Sequence, residues 1–533
     1  MNRRTWLVLF CFALLASCGG KPNDRANDEV RLARGLTATP DTLDPHKNLS
    51  VDGHRVMYDL YEGLLRYSAD GVLEGAVAED WRVSDDGLHY HFTFRDGLVW
   101  SNGDPLTAND FVFAFRRLVD PNTAAFYAGF LTSIVNADEI IRGEKNPDSL
   151  GVRAIDSRTL EIDLVESTPY FPQLLTHPAT APLHQASLKE HGDQFTKPGL
   201  LVSNGAYTLK DSVFGSVISL TRNPNYRDKG SVSIDAVDYH IVVNDEAMYN
   251  RYRAGELHIT ASVPSGSFQS IREERPNELK VAPQLGLFYF GFNMTTPKFG
   301  DAKQLRRALS MAIDREALVE KVTGRGEMPA YSWVPPGIDG YEPSVFDFQS
   351  MTKEQRIEEA RRLYLEAGFS DANPAKFELR YNVGDAQQKI ALAVQAMWRE
   401  ILGAQAELIN EEFQVLLSNI TQKRITEVFR LNWTGDYFDP YTFLQLMESS
   451  NPSNMTGYSN PAFDQLMVDA ASEVDQVKRM AIFREAEALM LSENPAIPLY
   501  FPVSKHLVKP EVRGWTNTVV DFHPTQFLSL ATN

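Results

Sequence analysis

Three features of the sequence predict a mixed α/β protein built from several domains. The chain has 533 residues, of which 43% are apolar. That is an ordinary globular composition, with length for about three or four domains at roughly 150 residues each. From Glu29 onward, strand-like alternation and helix-like periodicity take turns, punctuated by Gly and Pro. No low-complexity linker divides this text, so the domains are expected to be ones the chain crosses more than once. No fixed repeat of about 20–50 residues is visible, which argues against solenoids and propellers.

The segments follow in order. VRLARGL (Val30 to Leu36) reads as a strand, and Val56 to Leu64 has helical spacing. HYHFTFRDG (His89 to Gly97) alternates as a strand and ends at Asp96-Gly97. TANDFVFAFRRLVDP reads as a helix capped by Thr107, with Phe111, Ala114, Phe115 and Leu118 as its buried stripe and Asp120-Pro121 as its stop. Thr159 to Glu166 alternates again, Asn204 to Asn223 reads as a hairpin, and Gly286 to Met294 is a strongly apolar strand. A helix opens at Asp301 and runs towards Val322, with Leu305, Ala308, Leu309 and Ala312 on one face. Glu354 to Gly368 is an amphipathic helix with Gly368 as its stop. Strands at Leu379–Val383, Ala406–Asn410 and Ile425–Trp433, with a helix around Ala391–Leu402, continue the alternation.

The first residues read as processing signals. Arg3 and Arg4 precede an apolar stretch from Trp6 to Leu15. It is too short to span a bilayer, which takes about 20 residues, and it has the build of a secretory signal. It ends in Leu15, Ala16, Ser17, Cys18, a pattern that resembles the bacterial lipobox, in which the Cys carries lipid. Residues 1–17 are thus expected to be a lipoprotein signal and 18–29 a polar tether to the membrane. The only other cysteine, Cys11, lies inside the signal, so no disulfide is expected in the mature body.

Charge and motifs exclude several functions. The formal net charge is −18 and no run of five Lys/Arg occurs, which argues against a nucleic-acid partner. There is no G-x-S-x-G elbow, no phosphate loop, no dinucleotide fingerprint and no H-E-x-x-H. His89 and His91 share a strand face but have no third ligand nearby, so they read as a solvated face and no metal or cofactor is expected. No enzyme is expected. An exported hydrolase would need a nucleophile or metal set that the sequence does not display.

Long stretches carry a resemblance. AVAEDWRVSDDGLHYHFTFRDGLVWSNGDPLTANDFVFAFRRLVDP (Ala76 to Pro121) and FGDAKQLRRALSMAIDR (Phe299 to Arg315) are similar to signatures of the family-5 extracellular solute-binding proteins. TLDPHK, SNGAYTLK, NRYRAGE, MPAY, NWTGDYFDPYTFL and LVKP extend the likeness over nearly the whole mature chain. The resemblance is greatest to the family's oligopeptide receptors, which serve ABC importers. It implies a type II-like periplasmic-binding fold, pear-shaped and in three parts, with two lobes closing about a hinge. Domain I would comprise 30–61, 187–285 and 503–533, domain II 62–186 and domain III 286–502. The implied partners are an oligopeptide, the permease subunits of an ABC importer and, through the anchor, a membrane. A monomer is expected. Murein peptides or another solute remain alternatives, as does an envelope chaperone.

The resemblance also nominates site residues. In LNWTGDYFDPYTFLQLM (Leu431 to Met447), Asp436 follows a strand end, where ligands of open α/β sheets bind. Asp439-Pro440 reads as the cap and first residue of a helix, which leaves Asp436 without a structural duty. The family places there an Asp that pairs with the peptide α-ammonium. Asn432, Trp433 and Thr434, and likewise Leu49, Ser50 and Val51, are expected to offer strand edges to an extended peptide. Trp433, Tyr127, Phe413 and Tyr289 would line side-chain pockets, Arg430 would meet a ligand carboxylate, and Asn382 would join the ligand-binding set. Relatives carry a disulfide at positions that here correspond to Gly286 and Thr434, and charged pocket positions correspond to Leu49, Gly291 and Gln387.

Overall fold

The computed structural model describes residues 29–423, 426–435 and 437–531. The signal, Cys18, the tether up to Asp28 and Asp436 lie outside the described residues.

Two large hydrophobic cores organise the chain. One gathers buried residues from Leu32 to Ile259, with Val508, Val512 and Leu528 returning from the C-terminal segment. The other runs from Leu285 to Val520. A small third cluster, around Met248, Tyr252 and Phe268, is closed by Leu507.

The first core contains two four-stranded sheets. In one, the order is Arg31–Leu36, Ala236–Ile241, Val217–Arg222, Tyr207–Val213. Its first pair is parallel, so the N-terminal strand lies beside one about two hundred residues later. The second sheet, Ala78–Val83, His89–Phe94, Thr159–Asp163 and Val152–Asp156, is inserted between those segments. The second core surrounds a six-stranded sheet in the order Met328–Pro329, Ala496–Phe501, Gly286–Phe292, Val428–Thr434, Lys376–Asn382, Gln405–Glu411. Every residue of Gly286–Phe292 is buried, which is why this strand reads as a continuous apolar run.

The two bodies are joined side by side. Strand Leu279–Pro283 leads into Gly286–Phe292, while Ala496–Phe501 leads back into Val503–Leu507. The two crossing strands pair antiparallel, Pro283 opposite Val503, and Gln284 N donates to Pro502 O at 2.9 Å. A Cβ on Gly286 would stand 2.8 Å from Pro502 Cγ, so this close crossing requires glycine.

Most predicted elements are present. Helix Ala108–Val119 follows Thr107, whose N–H donates to Asp110 Oδ2 at 2.7 Å, and it buries Phe111, Ala114, Phe115 and Leu118. Gly368, at φ 87°, follows helix Lys353–Glu366.

Three readings need correction. The first helix spans Val51–Leu60, not Val56–Leu64, because Ser50 caps it by accepting from Gly53 N. The helix expected from Asp301 covers only Lys303–Met311. Asp301 ends the short turn Pro297–Gly300, and Asp314 caps a new start at Arg315 that continues as a π-helical segment, Leu318–Thr323. Asp439 is not a helix cap. The helical turn is Tyr441–Leu444, with Pro440 at its cap position.

Candidate functional site

The site begins with one strand that is paired unevenly. Val428–Thr434 lies against Gly286–Phe292 along its whole length. On its other side, Lys376–Asn382 pairs only with Val428 and Phe429. The backbone edge from Arg430 to Thr434 is therefore uncovered by any strand among the described residues. Gly435 N donates to Leu285 O at 2.9 Å, which sets the alternation of the antiparallel ladder. Leu431 and Trp433 thus turn their backbone groups towards Gly286–Phe292. Arg430, Asn432 and Thr434 turn theirs to the open edge. Of the three residues expected to offer an edge, Asn432 and Thr434 do so and Trp433 does not. Trp433 instead donates its indole N–H to Thr442 Oγ1 at 3.3 Å.

Gly286 and Thr434 are direct cross-strand partners in this ladder. Cross-strand partners share a face, so Thr434, Asn432 and Arg430 lie with Gly286, Phe288 and Phe290. Trp433 and Tyr289 belong to the opposite face. Tyr289 is buried and packs edge-on against Trp333, 4.8 Å between ring centroids.

Arg430 is the notable charge here. It is 7% exposed, and its guanidinium stacks over Phe288 at 4.2 Å from the ring centroid. Phe288 in turn stacks on Tyr500 at 4.6 Å. Arg430 Nη1 donates to Asn382 Oδ1 at 2.8 Å, while Nε has no hydrogen-bond partner. Burial lowers its pKa, and Tyr500 and Tyr289 oppose that effect. A buried guanidinium held by an amide and an aromatic ring is a ready partner for a ligand carboxylate. Phe413 opens helix Phe413–Gln422 on the same body and is 41% exposed.

The remaining nominated residues sit on the other body. Val51 is the first residue of a helix rather than a strand, and both it and Leu49 are more than half exposed. His54 of that helix lies 5.5 Å from the Tyr127 ring, and Tyr127 lies 4.4 Å from His177. Burial lowers His54 to about 4 and His177 well below the usual imidazole range, which keeps both rings neutral.

A cavity of about 790 Å³ joins the two bodies, lined by Phe126, Tyr127, Phe130, Tyr170, Tyr437 and Gln445 among others. Tyr170 stacks flat on Tyr437 at 4.2 Å and near-flat on Tyr441 at 5.5 Å. The sequence marked the cluster of aromatics after Thr434 but did not pair it with Tyr170. The partners are more than two hundred residues apart, and local spacing carries no such signal.

The loop after the strand is fixed by charge. Asp439 is fully buried, and its two oxygens accept from Arg479 Nη1 at 2.5 Å and Nη2 at 2.8 Å. Its Oδ1 also accepts from Tyr441 N at 2.9 Å. Asp439 therefore has a structural task, as expected, though as an ion pair and turn acceptor.

This architecture can be compared with known proteins. Residues 72–455 match the model of the bacterial extracellular solute-binding proteins, family 5. The chain belongs to the family-5 solute-binding proteins. Among members of this family, the periplasmic oligopeptide-binding protein OppA of Salmonella typhimurium is 38% identical over 492 residues, which are 92% of this chain and 90% of the relative. The unliganded open form of the periplasmic murein tripeptide-binding protein MppA superposes with TM-score 0.90 at 34% identity, over 94% of this chain and 98% of that one. OppA of Haemophilus influenzae in complex with the peptide RPPGFSPFR gives 0.67 at 33% identity, over 94% and 99%. Identity and coverage hardly differ between the last two, so divergence does not explain the gap. This family-5 protein thus superposes better on the unliganded open form than on the peptide complex, with Tyr170 of one body already stacked on Tyr437 of the other. The fold is the family's type II-like α/β architecture.

Proposed function

We propose that this protein is an extracytoplasmic receptor that captures oligopeptides between its two bodies and delivers them to an ABC importer. The observation that carries the reading is the open backbone edge at Asn432 and Thr434, beside the buried Arg430, which has no carboxylate partner among the described residues. An edge pairs with peptide backbone whatever the side chains, and so gives affinity without reading sequence. Peptide-binding relatives of high coverage support it. The match to the murein tripeptide receptor reflects its open form and does not favour murein peptides over others. Capture, closure and hand-over need no chemical step, so no catalytic residue is assigned.

In this reading Asp436 pairs with the peptide α-ammonium, with Trp433, Asn432, Thr434, Arg430, Asn382 and Phe413 on one lobe and Val51 and Tyr127 on the other. Tyr289 acts behind them as packing. Domains I, II and III keep the boundaries given above, and the paired crossing strands serve as the hinge. Cys18 holds the protein to a membrane. A Cys18→Ala protein that still sediments with membranes after a salt wash would remove that assignment.

The test is calorimetry with short peptides. Breaking a buried ion pair costs about 3–5 kcal/mol, and each decade of affinity is about 1.4 kcal/mol. Asp436→Asn, or N-acetylation of the peptide, should therefore weaken binding roughly a hundredfold to several thousandfold. Together they should cost less than their sum. Equal binding of free and acetylated peptides to the wild type would refute the ammonium assignment.

A further inference from the structure

Away from the cleft, strand Val503–Leu507 brings His506 beside the C-terminal segment that carries Asp521 and His523. His506 Nε2 lies 2.9 Å and His523 Nε2 3.5 Å from the same oxygen, Asp521 Oδ1. One ligand atom from each residue lies within 4.8 Å of the others. In a tetrahedral zinc site with bonds of about 2.0–2.1 Å, neighbouring ligand atoms stand about 3.3 Å apart. The two measured separations bracket that value.

The surroundings fit a metal. His506 Nδ1 lies 2.8 Å from the carbonyl oxygen of Thr260. A carbonyl only accepts, so Nδ1 carries a proton, and Nε2 is the ring atom turned to the carboxylate. That is the outer hydrogen bond by which a ligating histidine is oriented. Asp521 holds a left-handed backbone, φ 51°, which is costly for a residue other than glycine and clusters at ligand sites. A cavity of about 10 Å³ borders the three side chains. Two guanidiniums stand near, but each has compensation. Arg55, 3.6 Å from Asp521 Oδ2, pairs with Asp52 at 2.8 Å. Arg34 donates to His523 O and Thr525 Oγ1 and interacts with the charge of Asp59.

We propose that His506, Asp521 and His523 form a three-ligand site for a transition-metal dication, zinc being the one whose geometry the spacing fits. Imidazole nitrogens and one carboxylate favour such ions over calcium or magnesium. Because His506 lies on one of the two strands that cross between the bodies, the ion ties that strand to the C-terminal segment. The sequence hides this set. His506 stands fifteen residues before Asp521 and the set lacks a recognisable metal spacing, while the His89 and His91 pair that does draw the eye bonds instead to Asp163 and Glu161.

The full-length protein in detergent, stripped with chelator and titrated with zinc chloride, tests this. Calorimetry and metal analysis should give one zinc per chain with micromolar or tighter affinity, and a melting temperature raised by several degrees. The indole of Trp515 stacks on His523 at 3.6 Å, so zinc should also shift tryptophan emission. His523→Gln should weaken zinc at least tenfold and abolish the emission change while leaving peptide affinity intact. His506→Gln and Asp521→Asn should do the same, and if either fails to fold, His523→Gln alone decides. A His89→Gln, His91→Gln double variant should still bind one zinc. Absence of bound zinc, zinc binding that survives His523→Gln, or its loss in the His89, His91 variant would each overturn the proposal.

Discussion

Arg430 carries a buried charge whose neighbours are an amide and aromatic rings. Such a group costs the empty protein free energy, since no carboxylate among the described residues offsets its desolvation. Function at this position is therefore expected to trade against stability. Arg430→Gln should leave the melting temperature of the empty protein unchanged or higher. It should weaken peptides whose C-terminal carboxylate reaches the site by about tenfold to a hundredfold, from the roughly 1.5–3 kcal/mol of a hydrogen bond to a charged group. Calorimetry with free-acid and amidated peptides checks this, and equal affinities for the wild type would show that Arg430 reads no carboxylate. Part of this site was legible beforehand. Family likeness pointed to Arg430, Asn382, Asn432 and Thr434, and the structure joins the first two and gives the last two an open edge. Val51 was misread as strand because Ser50, the actual cap, stands in a polar turn that resembles any loop. Trp433 was misread as an edge because which residues of a strand face its partner depends on register, and register is not a local property.

Between the strand Val428–Thr434 and the turn Tyr441–Leu444, one ion pair fixes Asp439. Asp439 and Arg479 are both buried and doubly hydrogen-bonded. Arg479 opens no route to solvent and packs over Phe483 at 4.6 Å on the helix Gln476–Glu493. Asp439→Asn removes one charge and strands the other, so it should cost about 3–5 kcal/mol of stability. It should also release the loop and weaken peptides, although Asp439 itself touches none. Arg479→Met with Asp439→Leu should recover much of the stability, because a buried pair exchanged for apolar groups is often neutral. Chemical denaturation of the three variants distinguishes these outcomes. A loss below 1 kcal/mol for Asp439→Asn would mean that the pair does not hold the loop. At this scale the sequence was most informative where a stripe met clear boundaries. Thr107 and Asp120-Pro121 framed a helix whose apolar stripe is the buried face. It was least informative from Ala312 onward, where Asp314 starts a new helix inside what looked like continuous periodicity. Arg479 was invisible as a partner because forty residues separate it from Asp439.

For the whole molecule, two cores joined by one pair of crossing strands predict a hinge and a sensitivity to acid. The better superposition on the open form implies that saturating peptide should reduce the radius of gyration in solution scattering, and an unchanged radius with confirmed binding would remove closure from the mechanism. The acid sensitivity follows from buried imidazoles. Burial lowers His46 to about 3, His54 and His523 to about 4, and His177 well below the usual range. Arg117 Nη1 lies 2.8 Å from His46 Nδ1, an arrangement open only to the neutral ring. In the unfolded chain these groups titrate near 6.5. Between about pH 6.5 and 4 the unfolded state therefore binds more protons than the folded state, and stability rises with pH in that window. Each such group contributes about 1.4 kcal/mol per pH unit at full effect. Asp521, whose carboxylate is held below its usual range by His506 and His523 against the opposing effect of burial, adds to the loss at lower pH. Glu487 and Asp59, both raised by burial, act in the opposite sense, Glu487 to about 7. Burial likewise lowers His240 and His258 and raises Asp110 and Glu448, so six lowered imidazoles stand against four raised carboxylates among the described residues, and stability rises with pH through this window. Melting temperature should therefore be nearly flat from pH 8 to 7 and fall by several degrees between pH 6 and 5. His54→Gln should flatten that fall by about one proton's worth, roughly 1.4 kcal/mol per unit. A melting temperature that does not change between pH 7 and 5 would show that these rings are not held neutral by burial.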